Sequence, residues 1–148
     1  MIKIHILNKE DALWSKATEY IRNCSWEVGI YLAKMMEDNS FLEWERVFIA
    51  MDGEIIVGFC NLTAKDELLE GYEFTPFIGF VFVDENHRGK RISELLVNEA
   101  SSYAKSIGYR KVYIMSGEKG FYEKYGFELI GEYETIYDWT DQLFVKDI

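Results

Sequence analysis

FIGFVFVDENHRGKRISELLVNEASSYAKSI, residues 77–107, is the stretch in which one structural pattern gives way to another. Its first part, Phe77 to Val83, is almost entirely aromatic or β-branched, which is typical of a strand covered on both faces. From Ile92 the apolar residues recur at steps of three and four, which predicts an amphipathic helix ending near Ile107. Between strand and helix lies a short polar turn, and we expect the fold to be arranged around this junction.

The turn has the chemistry of an anion-binding site. It contains Gly89 together with the basic residues Arg88, Lys90 and Arg91. The first N–H groups of a helix have no partner within it, and the aligned peptide dipoles add about half a positive charge there. A phosphate group at this point would satisfy the amides and pair with the basic side chains. A connection whose basic residues simply face water is an equally good interpretation of these residues alone, because one glycine is weak evidence.

Residues 81–96, VFVDENHRGKRISELL, resemble the acyl-CoA-binding segment of the GNAT superfamily of N-acyltransferases. In that family an apolar strand precedes R-G-x-G-x-G or R-G-x-G-x-A, and a helix follows. Arg88 and Gly89 match this pattern, whereas Arg91 stands at the second glycine and Ser93 at the last small position. The resemblance implies that acetyl-CoA binds here as co-substrate, with its pantetheine arm beside the strand and its diphosphate at the turn. The implied contacts are Phe82, Val83, Arg88, Gly89, Lys90, Arg91, Ile92 and Ser93.

Arg91 is the main departure from the family pattern. A glycine required for a positive φ could not be replaced by arginine without strain. If only the N–H of this residue matters, an arginine is tolerated and adds positive charge towards the diphosphate, and this is the interpretation that we favour. Ser93 is a milder change, since a small hydroxyl residue can help to cap the helix.

A second segment, GFYEKYGF at residues 120–127, is similar to the GNAT stretch written Y-x-K-x-G-F. The resemblance implies that Tyr122 is the general acid for the departing thiolate. A phenol has a pKa near 10, so it is protonated and able to donate at neutral pH. A purely structural hydroxyl is the alternative. Lys124 and Lys119 are either contacts for the CoA phosphates or solvated surface residues.

Acyl transfer to an amine also requires a base, because a lysine-like amine has a pKa near 10.4 and attacks only when neutral. The loop TAKDELLEGYE, residues 63–73, offers Glu73 and Glu70, and we expect Glu73 or a water chain to take the proton. By the resemblance, a backbone N–H between Phe80 and Val83 holds the thioester carbonyl. The resemblance also implies that the connection between the first two helices borders the acceptor pocket, so Trp26 and Glu27 are candidate substrate contacts.

The rest of the chain predicts a mixed α/β fold. The order β-α-α-β-β-β-α-β-α-β-β indicates a GNAT-like mixed central sheet with helices on both faces. A hairpin turn is expected at Asp52-Gly53, where both positions accept a positive φ. The C-terminal aromatic residues supply either core or a homodimer interface: Tyr133, Tyr137, Trp139 and Phe144.

The composition favours one folded domain over residues 1–148. Hydrophobic residues make up 49% of the chain, and no apolar run reaches about 18 residues, so we expect neither disorder nor a membrane span. Cys24 and Cys60, in a chain with no export signal, suggest a reducing cytoplasm. Neither these cysteines nor His5 and His87 have metal-site spacing, so we expect no metal.

The net charge of −10 argues against binding to nucleic acid or to an anionic membrane, and it is compatible with cationic substrates. We therefore expect an acetyl-CoA-dependent N-acetyltransferase that acts on a primary amine of a small molecule or peptide. The alternative is a non-catalytic acyl-CoA-binding sensor, and a third interpretation is an α/β protein that binds another nucleotide. The acceptor, the acyl chain length and the oligomeric state stay open.

Overall fold

A computed structural model describes the whole chain, residues 1–148, as one sheet with three α-helices. Two short 3₁₀ segments, Glu85–His87 and Tyr122–Tyr125, complete the structure. The succession of strands and helices is the predicted one, with 3₁₀ rather than α geometry before Gly126. In chain order the main elements are β1 (Ile2–Leu7), α1 (Trp14–Asn23), α2 (Gly29–Glu37), β2 (Arg46–Asp52), β3 (Ile55–Thr63), β4 (Phe77–Val83), α3 (Ile92–Ser106), β5 (Lys111–Ser116), β6 (Glu128–Glu134) and β7 (Thr140–Asp147).

The seven strands form a single sheet in the order β1-β2-β3-β4-β5-β7-β6. All neighbours are antiparallel except β4 and β5, which run parallel. Parallel neighbours need a crossover connection, and α3 provides it. The C-terminal end of β4 and the beginning of α3 therefore lie at the same edge of the sheet. The predicted mixed α/β sheet is confirmed.

Helices cover both faces of the sheet, as predicted. On one face α3 buries an apolar stripe that includes Ile92, Leu96 and Ala100. On the other face α1 and α2 bury residues such as Ile21 and Leu32 against the sheet. Complete burial of a side chain of this size stabilises the fold by about 1.5–3 kcal/mol. None of the helices combines the length and the apolar character needed to cross a lipid bilayer.

The β2–β3 hairpin differs from the prediction by one residue. Asp52 pairs with Ile55, so the two turn residues are Gly53 and Glu54 rather than Asp52 and Gly53. Only Gly53 has a positive φ, at 62°, and it stands first in the turn. Glycine at the first central position is typical of a type II′ turn, which needs a positive φ at that position alone.

The C-terminal aromatic residues divide between core and surface. Phe144 is fully buried, and Tyr133 is half-buried with its ring 5.7 Å from that of Phe74. Tyr137 and Trp139 are exposed, and their rings stack with centroids 5.1 Å apart. The turn between β6 and β7 therefore presents an aromatic surface next to the cleft described below.

Candidate active site

The candidate active site is a cleft that opens between β4 and β5. These parallel strands pair at one position, Phe77 with Tyr113, where the Tyr113 N–H donates to the Pro76 carbonyl at 3.0 Å. Beyond this point they separate, and residues of both strands line a cleft of about 1050 Å³. The edge of β4 that faces the cleft thus lacks a neighbouring strand, so its backbone groups are available to a bound molecule.

A β-bulge distorts β4 within the cleft. The register between β3 and β4 shifts by one residue, so Phe80 and Val81 together face a single residue of β3. Phe80 has a φ of 51°, a backbone conformation that costs a non-glycine residue about 1–3 kcal/mol. Strained residues and bulges are concentrated at functional sites, where they redirect backbone and side-chain groups.

Trp26 forms an aromatic wall against this part of β4. Its ring is nearly parallel to that of Phe82, at 6° and with centroids 6.1 Å apart, and it meets the Phe80 ring at 6.1 Å. Trp26 is half-buried and lines the cleft. Glu27, which was predicted alongside it, is exposed and does not line the cleft.

The turn before α3 carries a run of free backbone donors. None of the N–H groups from Arg88 to Glu94 donates a hydrogen bond within the chain, and the first helical bond runs from the Leu95 N–H to the Arg91 carbonyl at 3.2 Å. Gly89 has a φ of 82° and Arg91 a φ of 60°. A left-handed residue followed by a right-handed helix directs successive N–H groups into one concavity, which is a typical anion-binding arrangement.

Our interpretation of Arg91 was therefore wrong. The structure gives Arg91 the positive φ that glycine supplies in the family pattern, so the position is defined by its backbone conformation and not only by its N–H. Its guanidinium pairs with both carboxylate oxygens of Glu94, at 2.6 and 2.9 Å. Its charge is therefore balanced by Glu94, and these hydrogen bonds lower the pKa of the Glu94 carboxyl.

Arg88 is held against the end of β4. Its Nε donates to the Val83 carbonyl at 3.0 Å, and its guanidinium lies 5.8 Å from the centre of the Phe82 ring. Beside it, His87 Nδ1 is 3.1 Å from a carboxylate oxygen of Asp84. The charge of Arg88 is fixed near the free N–H groups and has no carboxylate partner of its own.

Ser93 does not cap α3, contrary to our expectation. It lies inside the first turn of the helix, and its hydroxyl is 2.6 Å from the Tyr125 hydroxyl. This contact joins α3 to the 3₁₀ segment on the opposite side of the cleft. Among the predicted cofactor contacts, only Lys90 does not line the cleft; those that do are Phe82, Val83, Arg88, Gly89, Arg91, Ile92 and Ser93. Lys124 lines it as well, whereas Lys119 does not.

Tyr122 lies in the wall of the cleft with its hydroxyl free. The residue is 6% exposed, and its ring packs against Phe127 and Phe144. The hydroxyl makes no hydrogen bond, and no fully buried side-chain polar atom lacks a partner, so the hydroxyl must reach the cleft. Burial raises the pKa of Tyr122 above its ordinary value, with smaller contributions from Cys60 and Glu118. The phenol is therefore protonated throughout the neutral range.

Five carboxyl side chains that we did not single out from the sequence line the same cleft. Glu85 and Glu118 are exposed, whereas Asp66, Glu67 and Asp141 are half-buried. Burial raises the pKa of Asp66 to about 6. Burial, followed by the carboxyl groups of Asp141 and Asp66, also raises the pKa of Glu67. Asp66 lies close to β4, since one of its oxygens is 3.1 Å from the point where a Cβ on Gly79 would stand. A Cβ at this position would require the Asp66 carboxylate to shift by a few tenths of an ångström.

Backbone contacts bring the loop with these carboxylates to the end of β6. Leu68 forms an isolated bridge with Thr135, and the Ile136 N–H donates to the Glu67 carbonyl at 2.8 Å. The loop beyond this bridge turns outward, so Glu73 and Glu70 are exposed and neither lines the cleft. The segment has no periodicity, and the sequence alone gave no reason to prefer Asp66 or Glu67 over the other acidic residues nearby.

The comparisons with known proteins agree with this geometry. A family model described as the acetyltransferase (GNAT) family matches residues 12–127. This range includes α1, the bulged strand, the turn and Tyr122. Among curated protein sequences, none matches this chain.

Solved structures share the fold over almost the whole chain. An aminoglycoside 6′-acetyltransferase of type Ii has a TM-score of 0.74 at 19% identity, covering 98% of this chain and 96% of its own. A GNAT family acetyltransferase from Elizabethkingia anophelis with acetyl-CoA bound has a TM-score of 0.68 at 17% identity, covering 99% and 98%. A GNAT family N-acetyltransferase from Escherichia coli in complex with CoA has a TM-score of 0.69 at 21% identity, covering 99% and 81%. At these identities the likeness shows the fold.

Proposed function

The chain belongs to the GNAT acetyltransferase family, and from this premise we propose that it transfers the acetyl group of acetyl-CoA to a primary amine of a small molecule or peptide. The observation that carries the proposal is the run of free N–H groups from Arg88 to Glu94, next to the unpaired edge of β4. The Elizabethkingia anophelis structure with acetyl-CoA bound and the Escherichia coli structure in complex with CoA support the same co-substrate.

The residues of the turn fit the diphosphate of CoA. Consecutive N–H groups without partners would be satisfied by phosphate oxygens, and Arg88 supplies a cation that no carboxylate in the protein neutralises. Lys124 lines the cleft and adds a second cation. Bound acetyl-CoA would supply the activated acetyl thioester, and the open edge of β4 at Phe82 and Val83 offers backbone groups to its arm.

The bulge at Phe80 supports a role for the β4 backbone in stabilising negative charge on the acetyl carbonyl oxygen. The register shift releases backbone groups of Phe80 and Val81 from regular pairing with β3. A fixed N–H donor at such a position is worth about 3–4 kcal/mol in the barrier to acyl transfer. The strain at Phe80 would then be the cost of holding that donor ready before the substrate arrives.

We assign Tyr122 as the general acid that protonates the leaving thiolate. Its hydroxyl is free, opens into the cleft and belongs to a phenol whose pKa is raised by burial. A raised pKa keeps the phenol protonated at neutral pH, so its hydroxyl can donate a hydrogen bond to the sulfur as negative charge develops on the leaving group. The packing of the ring against Phe127 and Phe144 fixes the direction of the hydroxyl.

We assign the base to Asp66 rather than to the predicted Glu73. Asp66 lines the cleft beside Gly79 of β4, whereas Glu73 is exposed in the outer part of the loop. With a pKa of about 6, Asp66 is ionised at neutral pH yet basic enough to accept a proton from an ammonium group, directly or through water. We further infer a reducing cytoplasmic setting, which the free thiols of Cys24 and Cys60 support.

A thiol-release assay with acetyl-CoA tests the proposed function. The purified protein is offered a panel of amines, amino sugars, amino acids and peptides, and acetylated products are identified by mass spectrometry. We expect release that depends on both the protein and an amine. CoA binding in calorimetry with no release across the panel would favour the alternative, a non-catalytic acyl-CoA-binding module. Competition of ATP or NAD with CoA would favour a different nucleotide-binding protein.

A further inference from the structure

The two ends of the cleft carry opposite charge. At the α3 end, the turn with the free N–H groups carries Arg88 and one exposed carboxylate, Glu85, and Lys124 lines the cleft from the 3₁₀ segment Tyr122–Tyr125. At the β6–β7 end, the lining residues include Glu67 and Asp141, with Asp66 between them and β4. Binding of the anionic co-substrate explains the cationic groups and free N–H donors at the α3 end. At the second end, Asp66 is the proposed base, but Glu67 and Asp141 have no role in the chemistry described so far.

The carboxylates at the second end have no cation within the protein. Asp66, Glu67 and Asp141 take part in no ion pair. Asp141 and Asp66 lie close enough to Glu67 to raise the pKa of its carboxyl group, in addition to the effect of burial. Without a counter-charge, burial and the neighbouring Asp141 favour a proton on Glu67 by raising its pKa to about 8. An ammonium ion bound at this point would take the place of that proton and stabilise the ionised carboxylates.

A buried hydroxyl in the same cleft points independently to a ligand. Tyr122 is 6% exposed, and its hydroxyl has no partner although it opens into the cleft. Burial is the main cause of the raised pKa of this phenol, and Cys60, Glu118, Tyr125 and Asp66 make smaller contributions. The ring is almost entirely buried, while the hydroxyl faces the cleft without a protein partner and is therefore free to bond a ligand.

The rim of this end is aromatic and fixes one of the carboxylates. Tyr137 lines the cleft and stacks on Trp139, with ring centroids 5.1 Å apart. The Trp139 indole N–H donates to the Asp141 carboxylate at 3.4 Å. Aromatic faces and carboxylates together are the groups that bind organic ammonium ions. A metal ion is a poorer fit, because no group of three His, Cys, Asp or Glu side chains is placed to ligate one.

We propose that the acceptor carries at least two cationic amines, and that Glu67 and Asp141 bind the one that does not react while the other faces Asp66 and Tyr122. This inference rests on the proposed function and names the substrate class of the same site. The acceptor is thus a diamine, a polyamine or an amino sugar with several amines rather than a monoamine or an amino acid. The ammonium–carboxylate pairs at the β6–β7 end set the orientation of the molecule.

Calorimetry in the presence of saturating CoA tests the inference without turnover. The ligands are α,ω-diamines from 1,3-diaminopropane to 1,6-diaminohexane, each compared with the amino alcohol of the same length. We expect at least one diamine to bind about tenfold more tightly than its amino alcohol, because only the diamine makes a charge-assisted hydrogen bond at both ends. The titrations are repeated without CoA, so the result does not depend on CoA binding.

Paired charge-neutralising variants locate the cation. In Glu67→Gln/Asp141→Asn we expect the preference for the diamine to vanish, while the affinity for the amino alcohol changes little. Glu132→Gln/Glu134→Gln removes the same charge from exposed positions of β6 outside the cleft, and it should keep the preference. Thermal denaturation verifies that each variant is folded.

Amino alcohols that bind as tightly as the diamines at every length would overturn the inference. So would a diamine preference that persists in Glu67→Gln/Asp141→Asn, or one that is lost equally in the β6 control. A diamine that binds selectively but is never acetylated would refute the proposed function and leave this binding site standing. The two failures are therefore distinguishable.

Discussion

The two ends of the cleft are built in different ways. At the α3 end the chain presents backbone N–H groups, from Arg88 to Glu94, over one short turn that is continuous in sequence. At the β6–β7 end it presents carboxylate side chains from Glu67 and Asp141, which are far apart in the sequence. Backbone donors at a helix terminus suit a ligand group that never changes, such as a diphosphate. Side chains on loops can be replaced without altering the fold.

This difference suggests a division of roles within one cleft. The α3 end follows from the fold itself, so it would be expected in any protein with the same crossover from β4 to α3. The β6–β7 end depends on a loop held by the bridge between Leu68 and Thr135. Selectivity for the acceptor would then be set at the end that the fold specifies least.

The largest expected effect concerns Tyr122, which lies between the two ends. Tyr122→Phe keeps the ring in its aromatic packing and removes its hydroxyl from the cleft. We expect turnover to fall at least tenfold, and up to about a hundredfold, because general acid catalysis contributes on that order. CoA affinity, which belongs to the α3 end, should stay nearly constant. Steady-state kinetics and calorimetry on the same samples measure both quantities.

Tyr103→Phe is the matched control for Tyr122→Phe. Tyr103 donates to the Trp44 carbonyl at 2.8 Å and does not line the cleft. Loss of the Tyr103 hydroxyl should lower the free energy of unfolding by about 1 kcal/mol without lowering turnover of the folded enzyme. Unchanged turnover in Tyr122→Phe would remove the hydroxyl from the mechanism, and a parallel loss of CoA affinity would make it a binding group instead.

The α3 end of the cleft could be predicted from the sequence because the patterns that indicate it lie within one continuous segment. The change from a continuous apolar strand to a helical stripe identified β4 and α3, and the element order gave the mixed sheet with helices on both faces. The conformation of Arg91 was not predicted correctly, since whether a residue takes a positive φ depends on how the turn meets the helix. The contact of Ser93 with Tyr125 was also missed, because it joins elements that only the folded chain brings together.

The carboxylates of the β6–β7 end could not be predicted from the sequence, because they too are brought into the cleft by long-range contacts. Among the acidic residues of the loop, sequence reasoning favoured Glu73, whereas the structure directs Asp66 and Glu67 into the cleft. Two long-range features select them: the bridge from Leu68 to the C-terminal hairpin and the space left by Gly79. Neither can be recognised in a segment without periodicity.

We next expect the ionised carboxylate of Asp66, at the β6–β7 end, to lower the free energy of unfolding. Because the folded-state pKa of Asp66 is raised to about 6, this residue favours the fold when protonated, and that contribution is lost as the pH rises through about 6. Asp66→Asn cannot ionise. We expect it to be more stable than the parent by about 2 kcal/mol at pH 8 and by little at pH 4, while acetyl transfer falls. Denaturant titrations at the two pH values measure the difference.

Glu132→Gln provides the comparison, because it neutralises an exposed carboxylate of β6 outside the cleft. Its effect on stability should stay within about 0.5 kcal/mol at both pH values. An Asp66→Asn variant that is equally destabilised at pH 4 and pH 8 would show that the carboxylate supports the fold in its ionised form. The inference that the acidic end lacks a counter-charge would then be wrong.

The smallest expected effect tests the α3 end, where the arginine at position 91 departs from the family pattern. Arg91→Gly and Arg91→Ala both lose the pair with Glu94, but only glycine adopts the φ of 60° without strain. The difference between these variants therefore isolates the backbone conformation from the side chain. We expect the glycine variant to melt about 3 °C higher than the alanine variant and to bind CoA at least as tightly as the parent. If the alanine variant melts at the same temperature as the glycine variant, the positive φ at position 91 carries no energetic cost. If both variants lose CoA affinity equally, the Arg91 side chain rather than the backbone of the turn binds the anion. The contrast between an end built from backbone groups and an end built from side chains would then no longer hold.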